Sequence, residues 1–467
     1  MEMENVFLRK VHYSHLYLCG HLDTNKSSEV FFSEQQNGWI KDEIEEDIKI
    51  DENGFVLNGD NCDYTYKELC NMYYESFVDS LVSVKNRSML NPYNETAHYT
   101  LEVNKVCKLR NLKLSNNEWD FKVLRLHLFF FPYNICLFAI EIEDGVECNA
   151  NDLTFAHLCL RDVNNYMGWV EKKNANGKKY KEWGLKLDAP DYLDCIKPLL
   201  ELCSLTGKYE NQYSRLTLTG NKLKSFQIVL TDNTDNDFLY ELGTLSPIGC
   251  VNNHLNFLSP SKEYYDKLMK ENTISVFRNW KALALFDTFT VVINSNDPER
   301  TLFPWRNFYF RLIYVHSLFQ KTMLFIVNRK FRSDQHVEEC RGLLQDMKVQ
   351  EHWYAFSNIS YNFLPQLIYK SIDYGLEIGE ERESLRRYIE QESERLDKQN
   401  EFRIGKLVFY ITVITIFSAL YDGTSLFREF FGINIGGVCY KVLVFVFVVL
   451  ILLGYWLLYA RYKKIKG

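Results

Sequence analysis

The sequence predicts an α+β protein: a cytosolic α/β domain, a long helical stalk and a C-terminal two-helix transmembrane hairpin, assembled as an oligomer. Three observations predict it. Two apolar spans, 407–421 and 442–460, close a chain of otherwise mixed polarity. Strand signals stop after Asn294-Ser295-Asn296-Asp297-Pro298, and from Pro365 to Leu420 helical sequence is interrupted only by isolated glycines, Gly375 and Gly379 among them.

The first part of the chain, 1–300, reads as mixed α and β. Residues 123–131 and 135–142 flank Pro132-Tyr133-Asn134 and predict a hairpin of two buried strands, while 226–230 and 282–293 predict further strands. Residues 192–203 and 262–280 have helical spacing. In the second part, 301–403, helices follow at 306–328 and 334–360. The stretch 366–420 then predicts one helix of about 55 residues, roughly 80 Å at 1.5 Å per residue. A helix that long projects as a stalk, since it cannot bury itself in a compact domain.

The third part, 404–467, holds the spans. Residues 442–460 carry no charge. Residues 407–421 fall short of the roughly 20 residues that a crossing needs, but Arg403 and Lys406 can snorkel, giving spans at about 404–421 and 440–460. Arg403 and Lys406 precede the first span, and Arg461, Lys463, Lys464 and Lys466 follow the second. The loop between carries only Arg428 and, at its edge, Lys441, which places both termini in the cytoplasm. The start, MEMENVFLRK, lacks the apolar core of a signal peptide.

Composition excludes some classes. A net charge of −7 without a basic stripe gives no nucleic-acid footprint. The 12 cysteines stand singly, so neither a disulfide framework nor a zinc site is expected.

Alternating steps of three and four through the first span give Glu401, Gly405, Val408, Thr412, Thr415, Ala419 and Asp422. Two hydroxyls, small residues and a carboxylate on one seam suit the wall of a pore, with Ile404 or Val408 as an apolar gate and Thr424 beyond the outer end. Two helices cannot enclose a pore, so this reading needs several copies. The competing reading is that Thr412 and Thr415 bond their own helix carbonyls.

With Asn400-Glu401, Ile411 to Tyr421 (ITVITIFSALY) and the tail Tyr459-Ala460-Arg461-Tyr462-Lys463-Lys464, the chain resembles the CorA superfamily of divalent-cation channels. The resemblance covers about the last hundred residues closely and the rest in architecture, and it implies a homopentamer in a bacterial inner membrane. The family's Tyr-Gly-Met-Asn signature is replaced by Tyr421-Asp422-Gly423-Thr424, so Mg²⁺ selectivity does not carry over. Divergent members resemble membrane effectors of type III CRISPR systems. For those, the implied ligand is a nucleotide second messenger of the SAM-AMP kind, which opens the pore during antiviral defence. The alternative is a divalent metal (Mg²⁺) transporter regulated by cytosolic Mg²⁺.

Other clusters read as structural. The acidic run Asp42, Glu43, Glu45, Glu46, Asp47, Asp51 and Glu52 is expected to be a solvated face rather than a cation sensor. Glu377, Glu380, Glu381 and Glu383 on the stalk have Arg382, Arg386 and Arg387 within pairing reach. His12, His15 and His21 crowd one segment without metal-ligand spacing. The segment from Asp232 to Asp237 is a turn and not a calcium loop, and the run from Gly220 to Ser225 is no phosphate loop. No GxSxG, HExxH or kinase signature occurs, so no enzyme is expected.

Overall fold

The computed structural model describes residues 10–22, 38–47, 64–85, 96–132, 135–145, 147–173, 179–202, 222–295, 297–333 and 337–432, with single positions at 442, 445, 446, 449, 453 and 454. The chain divides into two compact units. The first comprises Met1–Asn328 with Val349–Glu383, and the second Arg329–Lys348 with Ser384–Gly467.

The first unit is built on a nine-stranded sheet. Its strands in chain order are β1 Tyr13–Leu22, β2 Ile40–Lys41, β3 Ala97–Arg110, β4 Glu118–Phe131, β5 Ile135–Asp144, β6 Lys224–Leu230, β7 Thr273–Ile274, β8 Trp280–Ala284 and β9 Thr288–Ile293. Across the sheet they run β7-β8-β9-β6-β1-β5-β4-β3-β2. The pair β6–β9 is parallel; the other neighbours are antiparallel.

The predicted β4–β5 hairpin forms around Pro132, as its two apolar runs dictate. Those runs are nearly continuous because the sheet is covered on both faces. On one face Leu16, Leu18, Leu126, Leu128, Phe138, Ile140 and Ile142 join a single core with Leu153, Ala156 and Leu160 of α1, Ala150–Arg161. Each such buried side chain stabilises the fold by about 1.5–3 kcal/mol. Helix α1 starts at Asn149, whose side chain accepts from the Asn151 N–H.

The opposite face lies under a π-helix, Trp305–Tyr314. That helix begins directly after Pro304, which has no N–H to close an ordinary α-helical bond and so favours a local change of winding. Phe310 of the π-helix stacks on Tyr17 with ring centroids 3.5 Å apart. Phe319, in the following helix α4 (Val315–Ser333), stacks on Phe131 at 4.3 Å. Helices α5 Val337–Tyr354, α6 Phe363–Gly375 and α7 Ile378–Phe431 complete the described chain.

Between β6 and β7 lie two further helices, α2 Asn236–Thr244 and α3 Lys262–Asn272, capped by Asp235 and Ser261. The helix expected over 262–280 stops at Asn272, where Thr273 and Ile274 leave to pair with β8. The single strand expected over 282–293 is two strands, β8 and β9, turned at Leu285-Phe286-Asp287. The long helix expected over 366–420 is also broken. A Cβ on Gly375 would sit 2.8 Å from the Ala284 backbone, and Glu377 takes a left-handed φ of 56°, so α6 ends and α7 starts afresh.

The predicted transmembrane hairpin is corrected. Among the described residues, no helix is long and apolar enough to cross a membrane. Residues 404–421 are one section of α7, a helix of 54 residues that begins in charged sequence. It runs on through Asp422 and Gly423 to Phe431, ten residues past the end of the predicted first span. The sequence placed this stretch on a long helix but ended that helix at the span, whereas it continues to Phe431. The inner-membrane location, the cytoplasmic orientation of both termini and the channel architecture that rested on the hairpin are withdrawn with it. The second predicted span, 440–460, lies outside the described residues apart from the six single positions.

Candidate functional site

Two polar assemblies stand out in the first unit. One is buried in the sheet face beneath the π-helix; the other lines a cleft near the β8–β9 turn.

The buried assembly centres on Glu141 of β5, which is 2% exposed. Period-two alternation puts Tyr13, His15 and Tyr17 of β1, Glu141 and Glu143 of β5, and Arg125 and His127 of β4 on one face. One oxygen, Oε1, lies 3.0 Å from His15 Nε2, accepts from Tyr17 Oη at 3.1 Å, and accepts from the Arg306 guanidinium at 3.3 Å. The other, Oε2, lies 2.9 Å from Arg125 Nε and 3.2 Å from His127 Nε2. Burial would push the Glu141 carboxyl upward, but the hydrogen bonds from His127 and His15 hold it well below the usual carboxylate range. Burial keeps His15 neutral, and its Nδ1 sits 2.9 Å from Tyr13 Oη.

The array continues toward the sheet edge. His127 Nδ1 is 3.1 Å from His98 Nε2, and His98 Nδ1 is 2.8 Å from Asp42 Oδ2. Arg311 of the π-helix lies 2.7 Å from the same Asp42 oxygen and donates to Tyr64 Oη at 2.8 Å. Burial pulls Asp42 upward, but Arg311 and His98 outweigh it and hold the carboxyl below its ordinary range. The member of the acidic run expected on a solvated face is thus built into a buried network. Its neighbours do make surface pairs: Glu45 with Lys85 at 3.2 Å and Asp47 with Lys67 at 2.6 Å. Asp51 and Glu52 lie outside the described residues.

The cleft has a volume of about 490 Å³ and is walled by the end of α1, the β8–β9 turn and the end of α6. Arg161, the last residue of α1, is 5% exposed and donates from Nη2 to Asp287 at 2.8 Å. Among the described residues its buried Nε has no hydrogen-bond partner. Phe286, Tyr264 and Tyr374 bring aromatic rings to the lining, and Glu377 and Glu380 bring carboxylates to one wall.

Behind Phe286 stand two lysines, Lys224 with Nζ 3.5 Å from the ring centroid and Lys321 with Nζ 4.6 Å from it. Lys224 also donates to the Phe286 carbonyl at 2.6 Å. Burial drives its amine down to about 8, against the opposing pull of Asp287. Lys321 pairs with Glu381 at 2.6 Å. The lining thus holds the Arg161–Asp287 pair together with the carboxylates of Glu377 and Glu380.

The predicted pore residues lie elsewhere, in the second unit. Glu401, Ile404, Gly405, Val408, Thr412, Thr415, Ala419, Asp422 and Thr424 all fall on α7. The first eight of these are exposed in the single chain. Thr412 Oγ1 donates to the Val408 carbonyl and Thr415 Oγ1 to the Ile411 carbonyl, each at 2.8 Å, which is the competing local bonding. Among the described residues no group of three or more His, Cys, Asp or Glu is placed to hold a metal ion.

Sequence reasoning missed Glu141, Arg125, His127 and His98. A signal was present: charged residues at period two inside apolar runs, Leu124-Arg125-Leu126-His127-Leu128 and Ala139-Ile140-Glu141-Ile142-Glu143. Arg161 gave no comparable signal, because its environment is made by segments far apart in the chain. No protein-family model matches the chain, and no curated protein matches its sequence.

Proposed function

We propose that the first unit is a ligand-binding domain whose cleft takes a nucleotide carrying both a phosphate and a cationic group, as SAM-AMP does. The observation that carries this reading is Arg161: a guanidinium almost wholly withdrawn from water, belonging to the lining of a cleft, whose Nε–H has no hydrogen-bond partner among the described residues. A buried charged donor is costly to leave unsatisfied, and a phosphate oxygen is its natural acceptor. The rings of Phe286, Tyr264 and Tyr374 suit stacking on a base. The carboxylates of Glu377 and Glu380 suit a ligand amine or ribose hydroxyls.

Calorimetric titration of the full chain tests the proposal, with SAM-AMP, ATP, AMP and inorganic phosphate as separate ligands. The expected result is one saturable site for a nucleotide. Arg161→Met should weaken it by roughly tenfold to a hundredfold, the value of one hydrogen bond to a charged group. Absence of binding for every ligand, or equal affinity in the variant, overturns the proposal.

A further inference from the structure

Two cysteines 88 positions apart in the sequence bring their sulfurs together: Cys107 Sγ of β3 lies 3.7 Å from Cys195 Sγ, at the end of the short helix Pro190–Cys195. The chain builds this approach from both sides. On β3, period-two alternation turns Cys107 and Leu109 inward and leaves Lys108 and Arg110 exposed. The segment that carries Cys195 is laid along the same strand at two further points. The Arg110 N–H donates to the Asp188 carbonyl at 2.9 Å, and Lys105 Nζ pairs with Asp191 at 3.0 Å. Leu109, Tyr192, Leu193 and Ile196 pack in the same core as both cysteines.

We infer that Cys107 and Cys195 are a dithiol site that hydrogen peroxide converts to a disulfide, tying the helix Pro190–Cys195 to the sheet. Cys195 is 6% exposed and Cys107 is fully buried, so an oxidant meets Cys195 first. Cys195 is also the better stabilised as a thiolate, the form that reacts. The Cys107 S–H and the Lys105 ammonium draw its thiol below the ordinary value against the effect of burial, while the contact with Cys195 and burial push the Cys107 thiol up. The Cys107 hydrogen has a second acceptor in the Lys105 carbonyl at 3.7 Å, but a charged sulfur is the stronger one. At Cys19 burial acts alone, and it pushes the thiol up.

In the first step the Cys195 thiolate attacks one oxygen of the peroxide. The S–O bond forms, the O–O bond breaks, and the departing hydroxide takes the proton that Cys195 gave up and leaves as water. In the second step Cys107 Sγ attacks the sulfenic sulfur of Cys195. The S–S bond forms, the S–O bond breaks, and the leaving hydroxide takes the Cys107 proton as a second water. The thiol pair gives up two electrons and the peroxide takes up two. The sulfurs close by about 1.7 Å to reach the roughly 2.05 Å of the bond.

Mass spectrometry of the native full chain, treated with hydrogen peroxide, alkylated in urea and digested, identifies the product. The expected result is the peptides of Cys107 and Cys195 joined, lighter by two hydrogens than their sum and separated again by dithiothreitol, with Cys19 recovered as an alkylated free thiol. Both thiols recovered unlinked under an exposure that oxidises free glutathione, or each linked to other cysteines instead, overturns the inference. Cys107→Ala removes the second thiol while keeping a small apolar side chain in the core. Dimedone should then trap a sulfenic acid at Cys195 roughly tenfold faster than at Cys19. Equal trapping at the two positions in the folded variant contradicts the assignment of Cys195 as the thiol that meets the peroxide.

Discussion

Arg125 stands opposite Glu141 because β4 carries one extra residue at Leu124. The register passes from Val123 against Ile142 to Arg125 against Glu141, and Nε comes within 2.9 Å of Oε2. Without that bulge, Leu124 would face the carboxylate. Re-aiming a side chain is what bulges do next to polar sites, and here the result is a buried anion surrounded by donors.

Replacing that anion should be expensive. In Glu141→Gln, the hydrogen-bonding groups of His15, Tyr17, His127 and Arg306 and the charge of Arg125 converge on a neutral amide that itself donates. Breaking a buried charge network costs about 3–5 kcal/mol. Urea unfolding followed by circular dichroism should show that loss with an unchanged slope; a loss below about 1 kcal/mol contradicts the account.

The pH dependence on the acid side follows from groups held away from their ordinary values. Asp42 and Glu141 are depressed, so the unfolded chain takes up protons before the folded one does. Their stabilisation is present above their ordinary values of 3.8 and 4.5 and is lost as pH falls below them. Burial pushes His157 down to about 4 and His316 to about 3, so both stay neutral in the fold while the unfolded chain charges near 6.5. All four act in the same direction. Denaturation at pH 7, 6, 5 and 4 should show stability falling at each step, and equal stability at pH 7 and pH 4 would refute this.

Lys224 gives the opposite limb. Its amine is lowered to about 8, so between 8 and the ordinary 10.5 the folded chain binds fewer protons than the unfolded one. Its contribution to stability therefore rises with pH across that window. Carbon-13 NMR of labelled lysines should show one side chain titrating near 8, and Lys224→Met should remove that signal. A lysine set that titrates uniformly near 10.5 is the contrary result.

Gly375 tests the packing of α6 on β8. In an exposed helix, Gly→Ala gains about 1 kcal/mol. Here the added methyl meets the Ala284 backbone at 2.8 Å, and backbone does not give way cheaply. Gly375→Ala should destabilise by about 1–3 kcal/mol. A stabilised variant would show that the approach is looser than described.

The sheet was partly legible in the sequence. The β4–β5 hairpin and β6 could be read because their apolar runs are uninterrupted and bounded by turn residues. The break at Glu377 could not, because only the close approach of Gly375 to Ala284 forces it, and that approach is tertiary. His15 drew attention as part of a histidine cluster, although its partner is a carboxylate 126 positions away. The stretch from Ile404 to Tyr421 illustrates the converse error: the apolar run suggests a helix end near Tyr421, while the helix containing it extends to Phe431.

The most direct test of the ligand-binding claim is hydrogen exchange of the full chain with and without saturating nucleotide. The account predicts slower exchange in peptides holding Arg161, in the Phe286-Asp287 turn and at the end of α6, with no such slowing in Arg161→Met. Saturation accompanied by protection confined to other segments would contradict it.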